Sequence, residues 1–290
     1  MSKSNDHKTL IGKNNYLFLI NDSCKELEVH CNNLNLVNKH NLSRYNLNNF
    51  LLIVIPNKSL IYKDYLPEEY IVKYRTGLQS YIEYFGEKLI DTYHTLNNET
   101  DTYYKTDSHI NMKGSYLVYK YFINKINEIY NLNVTPREVN ILSKECVLTN
   151  LKHGLGDLLW KTNLGDQNIN DNKDVFYYSE DVNYIYYNHK INKDDSLRIL
   201  NKDLKDINHE NEGSLISWEI LSNNILYKKN VSKNKTKVLI FYDSFLISLL
   251  DLYLELFEEV YMIKDIYNNR FINAINPDFV FEFRVERFLF

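Results

Sequence analysis

Two stretches of unbroken apolar sequence decide most of what this chain can become. "NFLLIVIP", Asn49 to Pro56, and "VLIFY", Val238 to Tyr242, are apolar at consecutive positions rather than at alternate ones. A strand turns successive side chains to opposite faces, so each run fits a strand covered on both sides, as in a parallel sheet with helices on each face. "KLID" at 88–91, Glu259 to Ile263 and Asp278 to Phe283 read as further strands. Helical spacing separates them. One helix opens near Pro67 with apolar residues at 71, 74, 78, 81 and 85, and a second runs from Lys113 through Val118, Phe122, Ile126 and Ile129. A third carries Leu246, Leu249, Leu250, Tyr253, Leu254 and Phe257. Strand and helix in alternation with short links predict an α/β fold built on a doubly wound parallel sheet.

At 290 residues the chain can form one such domain and bury a sizeable core. The expectation is a single domain over 1–290 interrupted by a hairpin-rich insertion at 160–235, where the sequence turns polar and its Tyr-rich pieces alternate. Trp160 and Trp218 lie in or beside that insertion and read as hairpin anchors, with stacking on sugars the other use of such rings. A net charge of −4 without a basic face argues against a nucleic-acid partner. Cys24, Cys31 and Cys146 form neither a C-x-x-C pair nor an even set, so reduced thiols are expected, with no cofactor. Near the start, only five apolar residues stand together, too few for a signal-peptide core or a membrane span. As written, the chain reads as cytoplasmic.

Two short polar motifs border the helices. "VLIFYDSF" sets Ser244 where a buried strand turns into a helix, at the carboxyl edge where open parallel sheets gather their ligands. There the hydroxyl is on display and the first N–H groups of the helix can hold a developing oxyanion. The plainer reading makes Ser244 a helix cap, although Ile247 leaves no reciprocal capping box. "TDSHINMKG" places Asp107 two residues before His109 at another helix entry. A serine needs a positioned base, and a carboxylate fixes the tautomer of that base. The alternative is a capping Asp with a solvated His. A metal site is disfavoured, because no third ligand lies at a suitable spacing along the chain.

Together the blocks resemble the SGNH-hydrolase-like domain of the alginate O-acetyltransferase family, the AlgJ/AlgX type. "GKNNYLFL" at 12–19 is similar to a G-x-x-x-W-L-F-L opening, and "VIPNKSLIYKDYLP" at 54–67 to a V-P-x-K-x-x-I-Y block. "YYKTDSHINMKG" resembles Y-x-x-x-D-x-H-W-N-x-x-G, "GDL" at 156–158 recurs, "VLIFYDSF" is similar to a strand followed by G-D-S-F, and "PDFVFEFRVERFL" to a closing P-D-x-V block with E-R. The resemblance implies a three-layer α/β/α sandwich and a triad of Ser244, His109 and Asp107. The implied activity is transfer of an acyl group, acetyl above all, from a donor to a hydroxyl of a cell-surface polysaccharide or its precursor. The Ser244 N–H is the expected oxyanion donor and Asn111 a candidate second. Lys58, Asp157 and Arg284 fall on matched positions with no role assigned. Tyr242 replaces Gly and is expected to crowd Ser244, and Ile110 replaces a Trp after the His. Family members work in the periplasm, so the chain acts in the cytoplasm or depends on a biosynthetic partner or an absent segment. A carbohydrate esterase, transfer of another activated group to a sugar, and a glycan-binding module with a dead triad all remain open.

Overall fold

The computed structural model of the chain describes residues 8–32, 42–45, 48–73, 75–138, 157–158, 225–230 and 235–289, with the backbone of four strands at 141–146, 171–176, 183–186 and 205–208. The strands are β1 (Thr9–Ile11), β2 (Leu17–Leu19), β3 (Phe50–Ile55), β4 (Leu89–Asp91), β5 (Ile141–Cys146), β6 (Asp171–Phe176), β7 (Asn183–Tyr186), β8 (Lys205–Asn208), β9 (Ile225–Lys229), β10 (Lys237–Tyr242), β11 (Glu259–Ile263) and β12 (Phe279–Val285). The α-helices are α1 (Glu26–Asn32), α2 (Lys58–Ile61), α3 (Thr76–Phe85), α4 (Tyr93–Asn97), α5 (Met112–Tyr130), α6 (Leu250–Leu254) and α7 (Asn269–Ile275).

Five strands run parallel in the order β4-β3-β12-β10-β11. The same sheet continues through β9, β7 and β8, each antiparallel to the strand before it. All six residues of β3 are buried, as an unbroken apolar run requires. Leu51, Ile53 and Ile55 join Val238, Ile240, Tyr242, Phe281, Phe283 and Val285 in a core with α5. Their neighbours Phe50, Leu52, Val54, Leu239, Phe241 and Val280 enter the opposite core with α3 and α7. Two cores with one sheet between them make a three-layer α/β/α sandwich. On α5, Val118, Phe122 and Ile126 recur at helical spacing and are fully buried, each stabilising the fold by about 1.5–3 kcal/mol. Most of the 160–235 segment, including Trp160 and Trp218, lies outside the described residues.

Two helices differ from the sequence pattern. The helix expected from Pro67 begins only at Thr76, and Ile71, counted into its apolar stripe, is 58% exposed. Arg75 explains the late start. Its backbone is non-helical, and its guanidinium reaches Asp91 at the end of β4 (2.7 Å) and Glu286 just beyond β12 (2.5 Å). Further back, the Lys73 N–H donates to the His30 carbonyl of α1. After β10 the chain forms a 3-10 turn, Ser244–Leu249, before α6, rather than one α-helix. Asp243 caps that turn. One of its carboxylate oxygens accepts the Phe245 N–H (2.9 Å), and the other accepts the Val285 N–H (2.7 Å). The exits of β10 and β12 are thereby tied side by side.

Removing Arg75 would leave the wholly buried Glu286 carboxylate uncompensated. Arg75→Met is therefore expected to cost about 3–5 kcal/mol in urea unfolding, as one-sided deletion of a buried pair does. A loss below about 1 kcal/mol would show that the pair does not hold this corner.

Candidate active site

Because β3, β4, β10 and β12 are parallel, they all exit at one edge of the sheet. Ser244 stands at the exit of β10. Opposite it, the loop before α5 is shaped by its own residues. Tyr103 pairs with Ile110 in an antiparallel bridge, which closes 104–109 into a protrusion. Asn111 caps α5, accepting the Gly114 N–H at 2.9 Å and donating to the Asp101 carbonyl. Gly114 is required by proximity, since a Cβ there would lie 2.3 Å from the Thr102 carbonyl oxygen.

That protrusion carries Asp107 and His109 to Ser244. The Ser244 Oγ lies 2.8 Å from His109 Nε2, and His109 Nδ1 lies 2.6 Å from Asp107 Oδ1. With the carboxylate at Nδ1, the proton sits on Nδ1 and leaves Nε2 free to accept from the hydroxyl. Asp107 Oδ1 also accepts the His109 N–H (2.9 Å), and Oδ2 accepts the Asp157 N–H (3.0 Å). Asp157 completes a clamp, its carboxylate accepting the Ser108 N–H (2.7 Å) and hydroxyl (2.8 Å). Beneath the loop, the buried Lys58 ammonium donates to the carbonyls of Leu17, Lys105 and Asp107 at 2.8, 2.8 and 3.0 Å. The Phe245 ring packs against the imidazole, with centroids 4.7 Å apart.

The electrostatics follow from this packing. Burial alone would push the Asp107 carboxyl up, but the hydrogen bonds and charge of His109 outweigh it and hold it well below the usual carboxylate range. Burial disfavours the His109 cation. Asp107, with the charge of Asp157 behind it, more than offsets that and raises the imidazole above its ordinary 6.5. Asp157 is pushed up by burial and then by the Asp107 charge. Such a set can take a proton from Ser244 at Nε2 and hold the resulting imidazolium against Asp107.

These distances match those at which a hydroxyl, an imidazole and a carboxylate exchange protons. No family model matches the chain, and no curated protein matches it either. Solved structures do share its fold. Bacillus cereus PatB1 carrying a sulfonyl adduct superposes with a TM-score of 0.62 at 15% identity, over 97% of this chain and 95% of that one. A DHHW family protein from Eubacterium siraeum superposes at 0.57 and 19% identity, over 97% and 94%. The O-acetyltransferase domain of Pseudomonas putida AlgJ does so at 0.51 and 13% identity, over 97% and 91%. At these identities the likeness is one of fold: the chain has the three-layer architecture of the SGNH-like domain that its motifs resemble.

The other singled-out residues divide. Asp157 and Lys58 hold the loop that carries Asp107 and His109, whereas the Asn111 amide accepts one hydrogen bond and donates another within the helix entry. Arg284 lies among the β12 side chains turned away from α5. It donates to Glu282 (2.7 Å) and to the Asp265 carbonyl, in contacts that do not include the triad. Tyr242 and Ile110 are buried in the α5-side core, so their substitutions act on core packing. The Phe245 N–H is occupied by Asp243, and the Ser244 N–H has no partner among the described residues. Because the turn is 3-10 and six residues long, the helix-dipole part of the oxyanion argument is weakened.

Folding also supplies the third ligand that spacing along the chain had hidden: Asp107, His109 and Asp157 offer ligand atoms within 4.8 Å of one another. All four carboxylate oxygens, however, already accept N–H or O–H donors. The cluster therefore reads as a hydrogen-bonded clamp. Arg287, stacked on Phe245 beside the site, was not singled out from sequence. The E-R pair of the closing block was its only signal.

Gly114→Ala is expected to force the helix entry away from Thr102 and to shift the whole 104–109 protrusion. The measurable result is an unfolding free energy lower by about 1–3 kcal/mol, the cost of overpacking, together with slower modification of Ser244 by a sulfonyl fluoride. Unchanged stability and unchanged Ser244 reactivity would mean that the close approach is not required.

Proposed function

We propose that the protein is a serine-dependent O-acyltransferase that moves an acyl group, acetyl above all, onto a hydroxyl of a cell-surface polysaccharide or a precursor oligosaccharide. The observation that carries this reading is the proton path from Ser244 Oγ to His109 Nε2 and from His109 Nδ1 to Asp107, 2.8 and 2.6 Å long, at the carboxyl edge of the sheet. The shared fold with the AlgJ O-acetyltransferase domain and with PatB1, solved with a sulfonyl adduct, supports it.

In the first half-reaction Ser244 Oγ attacks the carbonyl carbon of the donor while its proton passes to His109 Nε2. The Ser244 N–H is the proposed donor to the oxyanion. The bond from that carbon to the donor's leaving oxygen or sulfur breaks, and the leaving group takes the proton from Nε2. In the second half, a sugar hydroxyl gives its proton to Nε2 and attacks the acyl-serine, and Oγ departs with that proton. Water in place of the sugar would make the protein an esterase, so an oriented acceptor decides the outcome. Good orientation reaches effective molarities of roughly 10⁵ M. Among the described residues no helix is long and apolar enough to cross a membrane.

The test is a burst of p-nitrophenol from p-nitrophenyl acetate, followed by slow turnover that accelerates with the acceptor oligosaccharide. Ser244→Ala is expected to abolish the burst and lower turnover by at least roughly 10³-fold. Fast turnover in water, indifferent to a broad glycan panel, would make the esterase the right reading, and no burst at all would favour a binding module. The base must be neutral to work, and His109 is raised above 6.5. Activity should therefore rise with pH through a midpoint above that of a free imidazole. A midpoint at or below 6.5 would contradict the electrostatics of the site.

A further inference from the structure

At the exit of β12, beside that of β10, Arg287 is held from three sides. Its backbone N–H donates to the Asn57 side-chain oxygen (3.3 Å), and its guanidinium contacts Glu26 (3.4 Å), whose other oxygen accepts the Ser59 hydroxyl (2.5 Å). The guanidinium lies 5.1 Å from the centre of the Phe245 ring and 5.2 Å from that of Phe288. Arg287 and Glu26 are both buried, and Phe245 is also the ring against which the His109 imidazole packs. Glu26, Arg287, Phe245 and His109 thus form one continuous stack, running from α1 to the triad.

We propose that Arg287 is a positioning residue for the His109 base, backing the ring on which the imidazole rests and holding a fixed positive charge beside it. That charge acts on the titration of the imidazole. Burial and Arg287 disfavour a proton on His109, while Asp107, by hydrogen bond and charge, and Asp157, by charge, favour it. Two carboxylates acting alone would leave the ring protonated over a wider pH range, and a protonated imidazole cannot accept from Ser244. The inference rests on the reading of His109 as the base, but its test does not need turnover.

The experiment follows the His109 ring carbon in the full chain by NMR with ¹³C-labelled histidine, assigned with His109→Gln. With the charge removed, Arg287→Gln is expected to move the titration midpoint to higher pH, whereas Arg287→Lys, which keeps it, stays with the wild type. Sulfonylation of Ser244 should show the same displacement of its acid limb. If Arg287→Gln does not fold, Arg287→Met, which fills the space between the two rings, takes its place with the same expected shift. A residue serving only as packing would lower the melting temperature in the Gln and Lys variants without moving the midpoint. Coincident midpoints in the wild type and the charge-removing variant would overturn the proposal. Failure of the acyltransferase reading looks different, because the midpoint would still shift in a protein that transfers no acyl group.

Discussion

The placement of Asp107 and His109 against Ser244 depends on one buried cation. Each of the three N–H bonds of the Lys58 ammonium meets a main-chain carbonyl, from Leu17 on β2 and from Lys105 and Asp107 in the loop before α5. Burying an ammonium costs several kcal/mol unless its donors are satisfied, and each carbonyl left without a donor costs about 1–3 kcal/mol more. Shifting the loop by one hydrogen-bond length would take two carbonyls from the cation at once, although the Lys105 carbonyl also accepts the Leu17 N–H (2.9 Å). The rings of Tyr16 and Phe18, 5.6 and 5.5 Å from the ammonium, turn their faces to the same charge. Lys58 itself begins α2 at the exit of β3, so the staple fixes the loop's height relative to the sheet edge. Asp107 and His109 inherit that height.

Around the same edge the fold concentrates charge that a core would ordinarily exclude. Arg75 bridges Asp91 and Glu286, Arg284 pairs with Glu282, and Arg287 meets Glu26, each group mostly or wholly buried. Such pairs are weak evidence for stability, since apolar residues of similar volume often do as well. What they share is position. Asp91, Glu286 and Arg287 lie at or just past the exits of parallel strands, where the chain leaves the sheet and main-chain groups lose ladder partners. Asp243 shows the logic most plainly, spending one oxygen on the turn after β10 and the other on the end of β12. Side-chain charge there replaces the missing ladder and fixes where Ser244 stands relative to Arg287.

What could be read from the sequence followed the physical range of each signal. Unbroken apolar runs report burial on two faces, so β3 and β10 fell where the pattern put them; β11 matched its expected range, and β12 extended only two residues beyond its own, to Val285. Where a side chain many residues away decides the backbone, periodicity misled. Arg75 interrupts the stripe that begins at Pro67 because its partners are Asp91 and Glu286, the second of them 211 residues away. The same limit applied at the site. Asp107 and His109 are two residues apart and legible as a pair, and Ser244 is legible as a strand exit. Asp157 acts on the loop mainly through its main-chain N–H and a contact with Ser108, and Lys58 acts through carbonyls. No residue-type pattern announces such contacts, so these positions were marked by the family resemblance and given meaning only by folding.

In the proposed reaction, the balance of charge around His109 links architecture to chemistry. A base in acyl transfer must take a proton from one oxygen and release it to another, and it does both best when neither state is strongly preferred. Asp107 alone makes an effective orienter. Asp157, which the loop needs as a clamp, adds a second negative charge and tilts the balance toward the imidazolium. Burial and Arg287 tilt it back. Neither tilt can be removed without structural cost, because Asp157 anchors Ser108 while Arg287 anchors the stack on Phe245. The clamp that positions the acid side of the triad thus creates an electrostatic problem, and the strand exit next to Ser244 supplies the opposing charge. In a parallel sheet those two exits are neighbours by construction, so the β12 exit is a natural source of that charge.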